Sequence, residues 1–251
     1  MNLSVIACNV FQREVCACIA QSHHLADVEF VELGQHVHSA TLRQILQSRI
    51  DAADRGPRPY DAVVLAYGIC GNSTVGLVAR KTRLVIPRAH DCCAILLGSK
   101  DRFKEHFAEH PSTPFSSSGY FDRGEYYLRV DDGAGAALYS GDAYRAYVEQ
   151  YGEENAAYIW ETLHPKREGN GNRAVFIEIP EMAHLGHAAR FKAKVEADGK
   201  QYVCLQGSLD LLRRILSGEW RSEEVLVVEP GEKIAGVYDW SEIIRAVPAS
   251  A

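Results

Sequence analysis

Leu84-Val85-Ile86-Pro87-Arg88-Ala89-His90-Asp91-Cys92-Cys93-Ala94-Ile95-Leu96-Leu97-Gly98 decides how this chain is read. The apolar run Leu84 to Pro87 has the length and composition of a buried strand, and Ala94 to Gly98 reads as helix. Between them an imidazole, a carboxylate and two thiols occupy four consecutive residues, His90 to Cys93. In open α/β sheets, ligands and reacting groups gather at such carboxyl ends of strands.

Two further strand ends carry cysteine. Leu3-Ser4-Val5-Ile6-Ala7 runs into Cys8, and Ala62-Val63-Val64-Leu65-Ala66-Tyr67-Gly68 runs towards Cys70. From Asn9 the pattern turns helical, with Val10, Val15, Cys18 and Ile19 near one face. Glu14 falls in the first turns, where a carboxylate either answers the helix dipole or faces a site beside Cys8. Val28 to Leu33 alternates and reads as a strand near a sheet edge, followed by His36 and His38. Thr41 to Ala53 is an amphipathic helix with Leu42, Ile45, Leu46 and Ile50 inward. Tyr60 to Gly68 is the most continuously apolar strand and is expected at the sheet centre. The turn Tyr67 to Ser73, with Gly68, Gly71 and Asn72, is expected to let a ligand approach the backbone before a helix from about Val75. It has neither the GxGxxG nor the GxxxxGK[ST] spacing, which leaves a nucleotide site without support. Strand and helix alternating through residue 98 predict an α/β fold: a parallel, Rossmann-like sheet flanked by helices.

Beyond it, Lys100 to Pro111 reads as a polar helix. Residues 115–130 are aromatic and read as a hairpin insertion around Asp122-Arg123-Gly124-Glu125, serving as a lid, a dimer contact or a core flap. A helix from Asp142 to Leu163 leads to a second, smaller α/β unit. Its expected elements are a strand Arg173 to Ile179, a helix Ala183 to Ala197 and a strand Tyr202 to Leu205. A helix Leu209 to Leu216 and a final strand Val225 to Val228 complete it. The division expected is 1–140, carrying the Cys/His site, and 141–251, the linking helix and C-terminal unit.

A net charge of -6 without a dense basic cluster argues against a nucleic-acid partner. No apolar run is long enough for a membrane span, and the opening residues carry no secretory signal pattern. Seven cysteines, an odd number, suggest reduced thiols and a cytoplasmic setting in place of a disulfide framework.

Soft metals such as zinc take thiolate and imidazole ligands in roughly tetrahedral array. The chain has no Cys-x-x-Cys pair, but adjacent strand ends lie ~4.8 Å apart and let distant residues converge. A set drawn from Cys8, Cys70, His90 and Cys92 or Cys93 fits such an ion. Asp91 is then a hydrogen-bond acceptor for an imidazole, Arg88 a bidentate anchor for an anionic substrate group, and His38 a further ligand or base. The opposing reading makes the cysteines core residues and His90 a helix cap. Thiol redox chemistry ranks below both, because Cys92-Cys93 and Cys16-Ala17-Cys18 are poor dithiol arrangements.

At these same residues the chain resembles an uncharacterised family catalogued as a domain of unknown function (number sixteen thirty-eight). The resemblance is carried by Ala7-Cys8 with Glu14, by His38, and by Tyr67-Gly68-x-Cys70-Gly71-Asn72. It continues through Ile86-Pro87-Arg88-Ala89-His90-Asp91-Cys92 into Leu96-Leu97-Gly98-Ser99. Tyr120-Phe121, Gly124-x-Tyr126-Tyr127-Leu128, Tyr151-Gly152-Glu153-Glu154-Asn155 and Leu211-Leu212 through Trp220 to Pro230-Gly231 are similar too. Ser73, Cys93, Cys16 and Cys18 depart from the family pattern, which favours Cys92 over Cys93 as ligand. The resemblance implies a setting close to corrinoid-dependent methyl-group metabolism.

Together these readings predict a cytoplasmic, zinc-type enzyme of small-metabolite group transfer, with methyl transfer as the implied reaction. Cys8, Cys70 and Cys92 hold the ion, His90 is a fourth ligand or base, and Glu14, His38, Gly68, Gly71 and Asn72 line the site. One alternative is a non-catalytic protein that binds or delivers a corrinoid, another tetrapyrrole or a metal. A second is a metal-free α/β enzyme acting on an anionic substrate. The partners expected are a small molecule and either a second copy of the chain or a corrinoid protein.

Overall fold

The computed structural model describes residues 1–33, 39–109, 113–124, 173–220, 223–237, 239 and 241–250. Among these residues the central sheet has the strand order β2-β1-β3-β4-β8. Its strands are β1 (Asn2–Cys8), β2 (Leu25–Val31), β3 (Ala62–Ala66), β4 (Leu84–Pro87) and β8 (Val225–Val228). The first four run parallel, and β8 is antiparallel to β4. β3, apolar at every position, lies at the centre, and β2 and β8 are the edges.

Alternation explains why this sheet needs helices on both faces. Leu3, Val5, Ala7, Ala62, Val64 and Ala66 pack on one side, and Ile6, Val63 and Leu65 on the other. α1 (Gln12–Ala20) covers the first face with Val15 and Cys18, joined by α3 (Cys92–Leu97). α2 (Ser39–Arg55) covers the second with Leu42, Leu46 and Ile50, spaced four apart on one stripe. Both faces are therefore dry, as parallel sheets require. α4 (Lys100–Phe107) follows α3, capped by the Ser99 hydroxyl.

A second parallel sheet has the order β5-β6-β7: β5 (Phe115–Ser116), β6 (Arg173–Glu178) and β7 (Gln201–Gln206). α6 (His187–Ala197) packs on β6 and β7, and α7 (Asp210–Ser217) packs on α1 and the central sheet. β9 (Glu232–Gly236) and β10 (Ile244–Pro248) form an antiparallel hairpin. Strand pairing thus runs across the boundary near residue 140: β8 completes the N-terminal sheet, and β5 starts the second one. No described helix is long and apolar enough to cross a membrane.

Four expectations are corrected. No helix forms from Val75; residues 76–79 run extended beside β9, through Gly76 N–H to Ile234 O and Ala79 N–H to Glu232 O. Leu77 and Ala79 are fully buried while Gly76 and Arg80 are exposed, the two-residue period of a strand. Phe115 onward is not a hairpin: β5 is followed by the short helix α5 (Ser118–Asp122). Ala183 to Ala197 is not one helix, because Gly186 at φ 68° separates a 3-10 turn, Pro180–Leu185, from α6. Val225 to Val228 is not the last strand, since β9 and β10 follow it. Tyr126, Tyr127, the helix placed at 142–163, His36 and His38 lie outside the described residues.

Candidate functional site

The chain leaves β1 towards β2 on one side of the sheet, and leaves β3 towards β4 on the other. That topology puts a switch point between the carboxyl ends of β1 and β3, where open sheets hold their ligands. Cys8 ends β1, Tyr67 and Cys70 follow β3, and Cys92 opens α3 just after β4. All four line one cavity, walled by Phe11, Leu33, Leu42 and Tyr120, with exposed Glu32 at its rim. The centre of a water-sized sphere has ≈ 30 Å³ of it to move in, room for a small ion with a bound water or a guest of a few heavy atoms.

The turn after β3 is built by close backbone packing. A Cβ on Gly68 would stand 2.7 Å from Asp91 N and 2.8 Å from Ala89 O. Glycine therefore lets this strand end lie directly on the next. Ile69 N–H and Cys70 N–H donate to Ala89 O and His90 O. Thr74 Oγ1 donates to Gly68 O at 3.1 Å, and Ser73 Oγ to Cys70 O at 2.7 Å. Between these bonds Cys70, Gly71 and Asn72 have φ of 46°, 63° and 66°. Two of the three are not glycine, and each such residue costs on the order of 1 kcal/mol. The strained backbone turns the Cys70 side chain onto the cavity.

Tyr120 closes the opposite wall. Its hydroxyl lies 2.7 Å from Cys92 Sγ, and its ring meets Phe115 edge-on at 5.7 Å. α5 reaches this position because Gly119 has no side chain: a Cβ there would fall 1.7 Å from Val10 O. Arg13 pairs with Asp122 at 2.6 Å, and Arg123 donates to Asn9 O at 3.1 Å, fastening α5 over the turn that follows β1. Asn9 Oδ1 accepts from Leu33 N–H at 2.8 Å and ties the end of β2 to the same turn.

Burial makes the thiols reluctant acids. The Cys8 thiol is pushed up to about 11, chiefly by burial, against smaller lowering effects of the Val10 amide and the Arg123 charge. Cys70 is raised further, first by burial and then by the charges of Asp91 and Cys8. Cys92 is likewise held well above the ordinary thiol range by burial, Asp91 and Cys70, with Tyr120 opposing. The three groups feel one another, and all three are neutral thiols at pH 7. Tyr67 is also raised by burial and by Cys8 and Cys70, and its buried hydroxyl has no hydrogen-bond partner among the described residues.

The remaining expected site residues are dispersed. His90 does not face the cavity; its ring stacks on Phe103 at 5.4 Å and burial lowers its pKa. Asp91 caps α3, accepting from Ala94 N–H at 3.1 Å. Arg88 holds the C-terminal hairpin through Glu242 O at 2.8 Å and Ile244 O, and does not line the cavity. Gly71 and Asn72 serve the strained turn, where Asn72 O accepts from Arg43 at 2.7 Å. Cys93 is fully buried in the core, so the vicinal pair divides between cavity and core. Cys16 and Cys204 are exposed, and all seven cysteines are free thiols. Glu14 is fully buried on α1, and neither of its oxygens has a hydrogen-bond partner among the described residues. Burial raises its pKa to about 7, partly offset by its own backbone amide and reinforced by Asp122. It does not line the thiol cavity.

Sequence reasoning missed Phe11, Glu32 and the Tyr67 hydroxyl, and had Tyr120 only as part of an aromatic insertion read as a lid, dimer contact or core flap. Only Tyr67 carried a usable signal, as a tyrosine at the end of an otherwise aliphatic central strand.

The sequence model of a family described as "Protein of unknown function (DUF1638)" matches residues 30–216, most of the chain. The protein belongs to this family. No curated protein and no solved structure matches it. The span matched to DUF1638 includes Tyr67, Cys70, Cys92 and Tyr120, and starts after β1, which supplies Cys8. In this DUF1638 member Cys8 and Phe11 therefore reach the cavity from outside the matched span, and the rest of its described lining lies within it.

Proposed function

We propose that the cavity is a thiolate site for a soft divalent metal ion, zinc in type, in a cytoplasmic enzyme of small-metabolite group transfer. Methyl transfer linked to one-carbon or corrinoid metabolism is the reaction we assign to it. The observation that carries this reading is the meeting of Cys8, Cys70 and Cys92, from three separate strand ends, on one small cavity.

The donor chemistry fits. Three thiols and no fixed fourth ligand match the open coordination of catalytic zinc sites. A bound cation would reverse the raised thiol pKa values, drawing off protons and leaving thiolates. The unpartnered Tyr67 hydroxyl gives a bound group a hydrogen-bonding neighbour. Among the described residues no three His, Cys, Asp or Glu side chains stand at ion-holding separation, so the three thiols must draw together for an ion to bind. Cys92 must also turn from Tyr120 to join the set. When bound, such an ion supplies Lewis acidity and a deprotonated nucleophile at neutral pH. The chain's own residues do the rest: Phe11, Leu33 and Leu42 exclude water, and Tyr67 orients the reacting group. His90 and Arg88 have no part in it. We read the parallel sheet that carries the site as Rossmann-like. A tetrapyrrole far exceeds the cavity, so a corrinoid belongs to a docking partner in this scheme.

The test is elemental analysis of protein purified without chelator, beside Cys8→Ser, Cys70→Ser and Cys92→Ser. The expected result is about one zinc or similar ion per chain, lost in each variant without loss of the fold. Absence of metal after anaerobic reconstitution, or full occupancy in Cys70→Ser, would overturn the assignment.

A further inference from the structure

The thiol cavity has a marked charge preference. Three aromatic rings stand on its wall, Phe11 from the turn after β1, Tyr67 from the end of β3 and Tyr120 from α5, each at most 3% exposed. The charged residue among its described lining is Glu32. None of the neighbouring arginines lines the cavity: Arg88 bonds Glu242 O and Ile244 O, Arg43 bonds Asn72 O, and Arg123 bonds Asn9 O and the Gln12 side chain, with Arg43 Nε and Arg88 Nε unpartnered among the described residues. Asp91 adds negative potential from behind, where its charge acts on Cys70 and Cys92. Nothing on the described wall would compensate an anion.

Aromatic faces with a nearby carboxylate are the arrangement that recognises methylated cations, whose charge is spread over methyl groups and is cheaply dehydrated. We infer that the organic ligand of this cavity is a small methylated cation, of the quaternary ammonium or sulfonium class, held between Phe11, Tyr67 and Tyr120 with Glu32 at the entrance. This rests on the reading of the cavity as the functional site, but not on the ion itself. It replaces the anionic substrate that Arg88 suggested in the sequence.

The probe is tetramethylammonium, with tert-butanol as the neutral analogue and acetate as the anion, titrated calorimetrically and by saturation-transfer NMR of the methyl protons. Each titration is run on metal-free and on zinc-loaded protein. Tetramethylammonium is expected to bind about 10-fold or more tightly than either control. Phe11→Leu and Tyr67→Leu are expected to weaken it by about 10-fold each. Glu32→Gln, at an exposed position, weakens it a few-fold, and Tyr67→Phe, which keeps the ring, leaves it intact. Equal affinity for tert-butanol, tighter binding of acetate, or undiminished binding in Phe11→Leu and Glu32→Gln would overturn the inference. Cation binding without zinc binding leaves this inference standing and removes the metal assignment; zinc binding without cation binding does the reverse.

Discussion

At the carboxyl ends of β6 and β7, Arg213 reaches Glu181 at 2.5 Å, Asp210 at 3.5 Å lends a second carboxylate, and Ser208 accepts from Asp210 N–H. At the carboxyl ends of β1, β3 and β4, neutral thiols face a cavity, Tyr67 has no hydrogen-bond partner among the described residues, and Cys70 is held at positive φ. Both ends belong to parallel strands in the same chain. β6 and β7 end in polar groups that satisfy one another; the buried Ser116 and Ser117 hydroxyls at the end of β5 have no partner among the described residues, but only at the central sheet do such groups gather on one cavity. Buried polar groups are ordinarily paired, so the contrast locates function more sharply than the bare presence of cysteine or histidine.

Four perturbations test that contrast. The largest effect is expected from Gly119→Ala, which drives a methyl group into Val10 O and lifts α5 from the thiol cavity. About 3 kcal/mol of stability should be lost, read from the urea midpoint. A loss well under 1 kcal/mol would mean that α5 is not held this closely.

Glu14 comes next. Its folded pKa, about 7, lies above the ordinary 4.5. Its contribution to stability is therefore complete below pH 4.5 and disappears as pH rises through 7, by on the order of 3 kcal/mol. Thermal melts from pH 4.5 to 8 should fall along that course, and Glu14→Gln should flatten it and be the more stable protein at pH 8. An unchanged profile in the Glu14→Gln variant would place the titration elsewhere.

Tyr67→Phe is expected to stabilise the ligand-free protein by about 1 kcal/mol, because it removes a buried hydroxyl without a partner, while weakening metal binding. Loss of stability in the ligand-free form would show that the hydroxyl is already satisfied. The smallest effect is expected at the other sheet. Arg213 and Glu181 are both more than a third exposed, so Arg213→Ala should cost below about 1 kcal/mol. A larger value would erase the distinction between the two ends.

The sequence made the strand ends readable and left their facing obscure. β1, β3 and β4 are apolar runs whose ends can be placed within a residue or two, and that placed Cys8, Cys70 and Cys92 together. His90 is absent from the cavity's described lining, because adjacent residues at a strand end point in different directions, and packing against Phe103 two elements away decides which. Asp91 followed local rules after all, as the cap of α3. Phe11 and Glu32 were invisible, and Tyr120 was legible only as part of an aromatic insertion, because they reach the cavity only through the fastening of α5 over β1 and the exit of β2. Such contacts have no periodic signature. β8 was legible as a strand but not as the antiparallel neighbour of β4, since non-local pairing leaves no mark on composition. The extended run at Leu77 and Ala79 was mistaken for helix although its alternation was present, and a stricter count of that period would have found it.

The most direct test of the central claim, that Cys8, Cys70 and Cys92 act as one site, is an anaerobic cobalt(II) titration followed by the sulfur-to-metal charge-transfer band. The band should saturate at about one ion per chain, vanish or shrink in Cys8→Ser, Cys70→Ser and Cys92→Ser, and persist in the exposed controls Cys16→Ser and Cys204→Ser. No band in the unaltered protein, or a full band in any one of the three cavity variants, would contradict it.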